Sequence, residues 1–594
     1  MNDQVDLKRR RLLVAAGVGA ALATTPAFPI VLKKRAFHQD GGKATSAFAP
    51  DVEIELTASP GQVQILPGPA TRVWRYEGRI LKGNPDAVTP LPESYLGPIL
   101  KFRTGQRVRI HLHNRLPQKF ITHWHGMHVP FEADGHPSFA IDPGQTYVYE
   151  FTVENRASTN WYHPHTNMVT GAQAYAGLAG MIIVEDEEEQ QLALPRGEYD
   201  VPLVLQDRSF SDHNQLLYDN RGPIPMLGFL GEKIVVNGQP DFVTEVAGRA
   251  YRFRILNGSN SRVYKLAWND GQPVTVIATD GGLLERPVSR PYLMIGPGER
   301  YEIWKDFGSA QGREVKLESL EYRGAMPPMY ERMLAGGGMG MMGGRDGMKG
   351  TMGGPRGMMG GMGPMGVLSR HLPQGSRFPV ARFRVTRKAR DNVQLPQQLR
   401  SLPRLRVQET VNPDKPRPIA IGNRGRQFTL NGEVFEMDGA LPVETFPVNT
   451  IHLMEIFHGH GGMEMDGQHS SATSTSMMGM GGMAGMGGMR GMAGMGGMNM
   501  AMMMAMVHPI HIHGHYFQIV RRQPPGSGEM HGSEGYETVR DGFVDEGFQD
   551  TVLVMPGERI TIIKPFDKYK GLFLYHCHNL EHEDAEMMRN FKVV

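Results

Sequence analysis

The sequence predicts an all-β protein built as three successive domains. From about residue 52 onward, short apolar runs alternate with Gly/Pro turn clusters, the spacing of antiparallel strands in sandwiches or barrels. Composition agrees: 74 Gly and 42 Pro among 594 residues would interrupt helices throughout, and amphipathic helical windows are scarce. At roughly 150 residues per domain, the chain is too long for one core. It divides into β-domains at about 50–190, 195–380 and 381–594.

The first 35 residues stand apart from this plan. Lys8, Arg9, Arg10 and Arg11 precede an apolar stretch at 12–23, about half the length needed to span a bilayer. Adjacent arginines followed by Leu12 and Leu13 resemble a twin-arginine signal, which exports folded proteins in bacteria. No other segment holds 18 uninterrupted apolar residues, so the expectation is a periplasmic or otherwise exported protein without stable membrane insertion. A formal net charge of +2 provides no basic field for nucleic acid. Cys577 is the single cysteine, so no intrachain disulfide forms and its chemistry must account for it.

Strand-like runs follow in order at 63–66, 107–112, 146–153 and 180–184 in the first domain. The second has runs at 251–256, 274–279 and 300–304, and the third at 517–521, 551–555 and 559–564. Two Met/Gly-rich segments interrupt them. Residues 333–365 hold 10 Met and 463–506 hold 16, together 26 of the 40 methionines; the longer insert as a whole occupies 459–506. Gly at every third position from 482 to 497 has the collagen period but comes without Pro, which excludes a triple helix.

Four His-x-His pairs carry the chemistry: His123/His125, His163/His165, His511/His513 and His576/His578. Residues i and i+2 of a strand share a face, so each pair presents two imidazoles together and eight can converge. Cys577 lies between His576 and His578 and points its sulfur to the opposite face. His582 and Met587 follow it, and Pro509 can turn His508 away from the His511/His513 face. Two imidazoles, a thiolate and a weak thioether make a blue-copper ligand set. Zinc sites need no Met, and the usual Cys-x-x-Cys spacing is absent.

The segments HWHG at His123, WYHPH at Trp161, HPIHIHGH at His508 and HCHNLEHE at His576 together resemble the multicopper oxidases, in particular the laccase-like group that includes bacterial periplasmic copper-efflux oxidases. The resemblance runs from about residue 50 to the C-terminus outside the Met-rich inserts. It implies three cupredoxin-like Greek-key β-sandwich domains and four copper ions, with a trinuclear cluster between the first and third domains. Carried over position by position, it implies His508, Cys577 and His582 as type 1 ligands with Met587 axial. His123 and His511 would hold type 2 copper, and His125, His163, His165, His513, His576 and His578 the type 3 pair. Four one-electron transfers through Cys577 to the cluster would reduce dioxygen to two waters. Asp134 and Glu583 resemble the family's proton-relay carboxylates, with Glu581 and Asp584 as weaker candidates.

The electron donor is less defined. Thioethers favour Cu(I), and Met506 occupies the position where the copper-efflux oxidases place a substrate-copper methionine. Those oxidases carry an aspartate four residues before the type 1 histidine, whereas this chain has Met504. His458, His460 and His469 lie at the head of the insert. Three readings follow: a cuprous oxidase serving copper tolerance, a laccase-like oxidase of phenols or aromatic amines, and a copper-sequestering protein. The expected partners are dioxygen and a small reductant, with the chain a monomer.

Overall fold

The computed structural model describes residues 42–45, 47–219, 224–327, 371–389, 392–424, 427–458, 506–526 and 532–594. The leader, the Met-rich segment at 333–365 and all of the longer insert except Met506 lie outside the described residues.

Strands alternate buried and solvent-facing residues, as in Arg107–Asn114, where Val108, Ile110 and Leu112 point inward. Six sheets result, in three successive pairs. The first pair occupies 52–185, with four strands in one sheet and five in the other; the second occupies 200–387, with seven and five; the third occupies 417–593, with five and five. Each pair closes on its own apolar core. Ile54, Trp124, Tyr149 and Ile182 lie in the first, Phe253, Leu266, Ile303 and Phe383 in the second, and Ile456, Ile510, Ile562 and Phe591 in the third. Burying one such side chain stabilises the fold by about 1.5–3 kcal/mol.

The strands are not uniformly antiparallel as the spacing suggests. Each of the six sheets contains one parallel pair among the described residues, such as Val52–Val63 beside Arg107–Asn114 and Arg417–Arg424 beside Thr450–His458. Connections that leave one sheet of a sandwich and return to it bring strands back in the same direction, a pattern that local turn signals do not encode. The run at 63–66 also differs: the strand is Val52–Val63. Pro60 and Gly61 look like a turn cluster, yet they sit where pairing with Arg107–Asn114 has already ended at Ala58. On that side a missing N–H costs no ladder bond.

Two antiparallel pairs position the histidines. Thr122–His125 runs against Ser158–Pro164 with His123 opposite His163, and His508–Ile512 runs against Gly571–Cys577 with His511 opposite His576 and Ile510 opposite Cys577. The helix Leu580–Asp584 starts on Asn579, whose side chain accepts from the His582 N–H, and Asp584 accepts from the Thr170 and Gly171 N–H groups at 2.8 and 2.9 Å. Gly126 of HWHG has φ +87°, and a Cβ there would collide with Asn160 and Arg300; only glycine suits it. Among the described residues no helix is long and apolar enough to cross a membrane.

Candidate metal centre

Eight histidines from the first and third sheet pairs converge and are all buried. His123 stacks on His513 with ring centroids 3.9 Å apart, and His125 on His511 at 3.7 Å. His125, His163 and His578 form a triangle with centroids 4.9–5.6 Å apart. On the other side His165 Nε2 and His513 Nε2 each lie 3.2 Å from His576 Nε2. Donor atoms of His123, His511 and His513, and of His165, His513 and His576, lie within 4.8 Å of one another, the spacing at which one ion can bridge them.

Most of these rings are fixed through one nitrogen and open at the other. His123 Nδ1 donates to the Asp134 carbonyl at 2.6 Å, His163 Nδ1 to the Pro164 carbonyl at 2.7 Å, His511 Nδ1 to the Asp550 carbonyl at 2.9 Å and His513 Nδ1 to the Asp134 carboxylate at 2.7 Å. His125 is reversed, with Nε2 donating to Asp550 Oδ1 at 3.0 Å. The opposite atoms, His123 Nε2, His163 Nε2, His511 Nε2 and His125 Nδ1, are buried without a partner, as is His578 Nε2. Buried polar atoms without partners are costly, and orienting a ligand through its second nitrogen is the usual way a protein prepares a metal site. Burial, followed by neighbouring imidazoles, pushes the His123, His165, His513, His576 and His578 pKa values well below 6.5. The neutral, metal-binding form is thereby favoured.

The second donor set lies on the far face of the same strand. Cys577 Sγ is 3.4 Å from His508 Nδ1 and 3.5 Å from His582 Nδ1, and Met587 is buried in the same core cluster as Cys577. Burial pushes the Cys577 thiol pKa up, so a cation between the three atoms is what would hold it as a thiolate. His582 Nε2 donates to the Met226 carbonyl at 3.0 Å, and its ring lies 4.3 Å from that of Phe428. The two sets therefore fit copper by donor chemistry as well as by open, buried ligand atoms.

Asp134 and Glu583 lie against the histidine cluster. Asp134 is buried, its Oδ1 has no partner, and burial raises its pKa well above the usual range despite Lys564. Glu583 lies 3.3 Å from His576 Nδ1 and 3.7 Å from His165 Nδ1, with its pKa raised well above normal by burial and by Asp584. Of the weaker candidates, Asp584 caps the helix Thr170–Tyr175 from a distance. Glu581 accepts from Tyr218, Asn260, Ser261 and Phe229. Sequence reasoning missed Asp550, which touches His125 and His511 and is gripped by Arg300 at 2.7 and 2.6 Å. Burial acts to raise its pKa, but Arg300 and His125 outweigh that and hold it well below the carboxylate range. No local motif marks this residue, since Arg300 and His125 are 250 and 425 residues away.

Near His582, Met506 packs with Leu227 and Met326, all buried; Met326 and Met226 were also missed. His458 Nε2 lies 3.1 Å from the Met506 carbonyl and its ring 5.5 Å from that of His508. Met504, His460 and His469 lie outside the described residues.

Three cupredoxin-like sandwiches, with eight imidazoles gathered between the first and third and a Cys/His/Met set one residue away, define a copper-oxidase architecture. The multicopper oxidase family matches at residues 73–189, 161–312 and 497–594, and the chain belongs to it. It is 27% identical over 578 residues to a laccase of Bacillus stratosphericus, covering 89% of this chain and 91% of that protein. It is 34% identical over 299 residues to the cell division protein FtsP of Escherichia coli (strain K12), covering 48% of this chain and 62% of that one. The crystal structure of the McoA multicopper oxidase from Aquifex aeolicus aligns with a TM-score of 0.65 and 28% identity over 92% of this chain and 97% of that chain.

Proposed function

We propose that this oxidoreductase oxidises Cu(I) at a type 1 centre and reduces dioxygen to two waters at a trinuclear centre. His508, Cys577, His582 and Met587 would hold type 1 copper, His123 and His511 type 2, and the remaining six histidines the type 3 pair. Bound copper would supply one-electron exchange at the first site and oxygen reduction at the second. The chain's own part is to fix the imidazoles, exclude water and hold protons. Asp134 and Glu583, with pKa values raised by burial and placed beside His513 and His576, are suited to holding protons for delivery to that centre.

The observation that carries the Cu(I) reading is the buried thioether pair Met326/Met506 beside the segment whose Met226 carbonyl accepts from His582. His508 and His582 are 3% and 0% exposed, so among the described residues neither presents the open hollow that a phenol needs for direct approach. The Bacillus laccase relative supports phenol oxidation as the second reading. Complete ligand sets with carboxylates against them weigh against sequestration alone, which needs no proton supply. The leader supports export through the twin-arginine route, with the mature chain acting as a monomer in the periplasm.

Initial rates with Cu(I) and with a phenol test the donor in two variants. Deleting residues 463–504 should slow Cu(I) oxidation and leave phenol oxidation equal or faster. Met506→Leu keeps volume while removing sulfur, and should raise the apparent KM for Cu(I) with the blue absorbance intact. If both variants oxidise Cu(I) as the parent does, the phenol-oxidase reading replaces this one.

A further inference from the structure

A cavity of about 610 Å³ is lined by none of the candidate metal ligands and falls within the size range of small-molecule sites. The strand Thr71–Lys82 supplies Arg72 and Trp74, the helix Thr170–Tyr175 supplies Tyr175, and the loop before residue 219 supplies Leu216 and Tyr218. Its walls are fixed. Tyr175 lies 4.9 Å from Tyr218 and takes the Arg208 guanidinium on its ring at 4.6 Å. Gln215 accepts from both the Arg72 backbone N–H and its Nε at 3.1 and 3.2 Å. Such preorganisation lowers the cost of binding.

Three chemical features select a ligand. Trp74 and Tyr218 offer flat aromatic surface, with the buried Tyr175 ring packed behind Tyr218. Arg72 is exposed and, among the described residues, pairs with no carboxylate, leaving its terminal N–H groups for an anion. The Tyr218 O–H is committed as a donor to Glu581 at 2.8 Å, and Glu581 already accepts from Asn260, Ser261 and Phe229. The Tyr218 oxygen therefore remains as an acceptor for a ligand hydroxyl.

We propose that this cavity is a binding site for hydroxylated aromatic acids, separate from the type 1 centre. It requires no copper and stands independently of the donor reading above.

Calorimetric titration of the copper-loaded, full-length protein with 4-hydroxycinnamate under anaerobic conditions, which prevent turnover of a phenol, should show one site with a Kd near or below about 1 mM. Arg72→Gln should weaken it about 10-fold. Cinnamate, lacking the hydroxyl, should bind about 5-fold more weakly than 4-hydroxycinnamate to the parent, and this preference should vanish in Tyr218→Phe. Cys577→Ser, which loses the type 1 site, should bind as the parent does. Absence of binding, equal affinity in Arg72→Gln, or loss of binding in Cys577→Ser would each overturn the proposal. Because the ligand-side comparison uses the unaltered protein, a folding defect in a variant cannot imitate the expected pattern.

Discussion

The two faces of the strand Gly571–Cys577 differ in what surrounds them. On the Cys577 face the donors sit in an apolar core with Ile510, Met587 and Phe591, and among the described residues no carboxylate is hydrogen-bonded to His508, Cys577 or His582. On the opposite face Asp134, Asp550 and Glu583 press against the imidazoles. A centre that only passes electrons gains from a dry, rigid setting. Under the proposed function the other centre must also be fed protons, and among the described residues the carboxylates that touch candidate ligand nitrogens lie on that side.

The largest expected effect comes from removing the link between the faces. Cys577→Ser should abolish both the intense blue absorption and turnover, since the thiolate is the source of the charge-transfer band; a retained blue band would contradict the type 1 assignment. His163→Ala or His513→Ala should instead stop oxygen reduction while the blue band persists, and stopped-flow reduction should leave the type 1 centre reduced in air. Rapid reoxidation in either variant would mean that the two faces are not separable.

The carboxylates sharpen the contrast further. Asp134→Asn and Glu583→Gln should slow turnover by roughly 10²- to 10⁴-fold with blue absorbance and copper content intact. Asp550→Asn tests a different role, because it removes one of the two buried carboxylates paired with Arg300 and leaves only Asp280 at 3.4 Å, a loss smaller than the roughly 3–5 kcal/mol of a fully broken buried pair and readable as a lowered Tm. Unchanged turnover in both relay variants would remove Asp134 and Glu583 from proton delivery.

The smallest effect per residue is on stability against pH. Burial pushes the His163 and His582 pKa values down to about 3, so below about pH 6.5 the unfolded chain takes up protons that the folded chain refuses. Metal-free protein should therefore lose stability as pH falls from about 6.5 toward 3, by up to about 1.4 kcal/mol per pH unit for each such histidine. Calorimetric Tm values at several pH values check this, and the copper-loaded protein should show a higher Tm with an acid dependence at least as steep between pH 7 and 5, since these nitrogens are proton-free in both folded forms there.

The histidines were legible because strand periodicity is local: i and i+2 share a face, and a cysteine between two histidines must point the other way. Asp550, Arg300, Met226 and Met326 were not legible, because each matters only through a partner brought close by the packing of separate sandwiches. The parallel pairs escaped for the same reason, since a crossover leaves no mark in the turn that begins it. The strand Val52–Val63 is displaced from the run at 63–66, because a Pro–Gly turn signal and a tolerated strand position have the same composition.

The register that sets His576 against His511 and brings it 3.2 Å from His165, 411 residues earlier, also dictates an order of maturation. Half of the cluster is present once residue 165 has been synthesised, yet the other half waits for a strand that ends 17 residues before the C-terminus. Contacts this remote in sequence form slowly, so the eight-histidine cluster can be completed only after the third sandwich has closed on the first. Capture of a metal by all eight histidines would therefore come last, and a chain truncated before residue 571 should fold its first sandwich and still leave the ribosome with only part of the cluster.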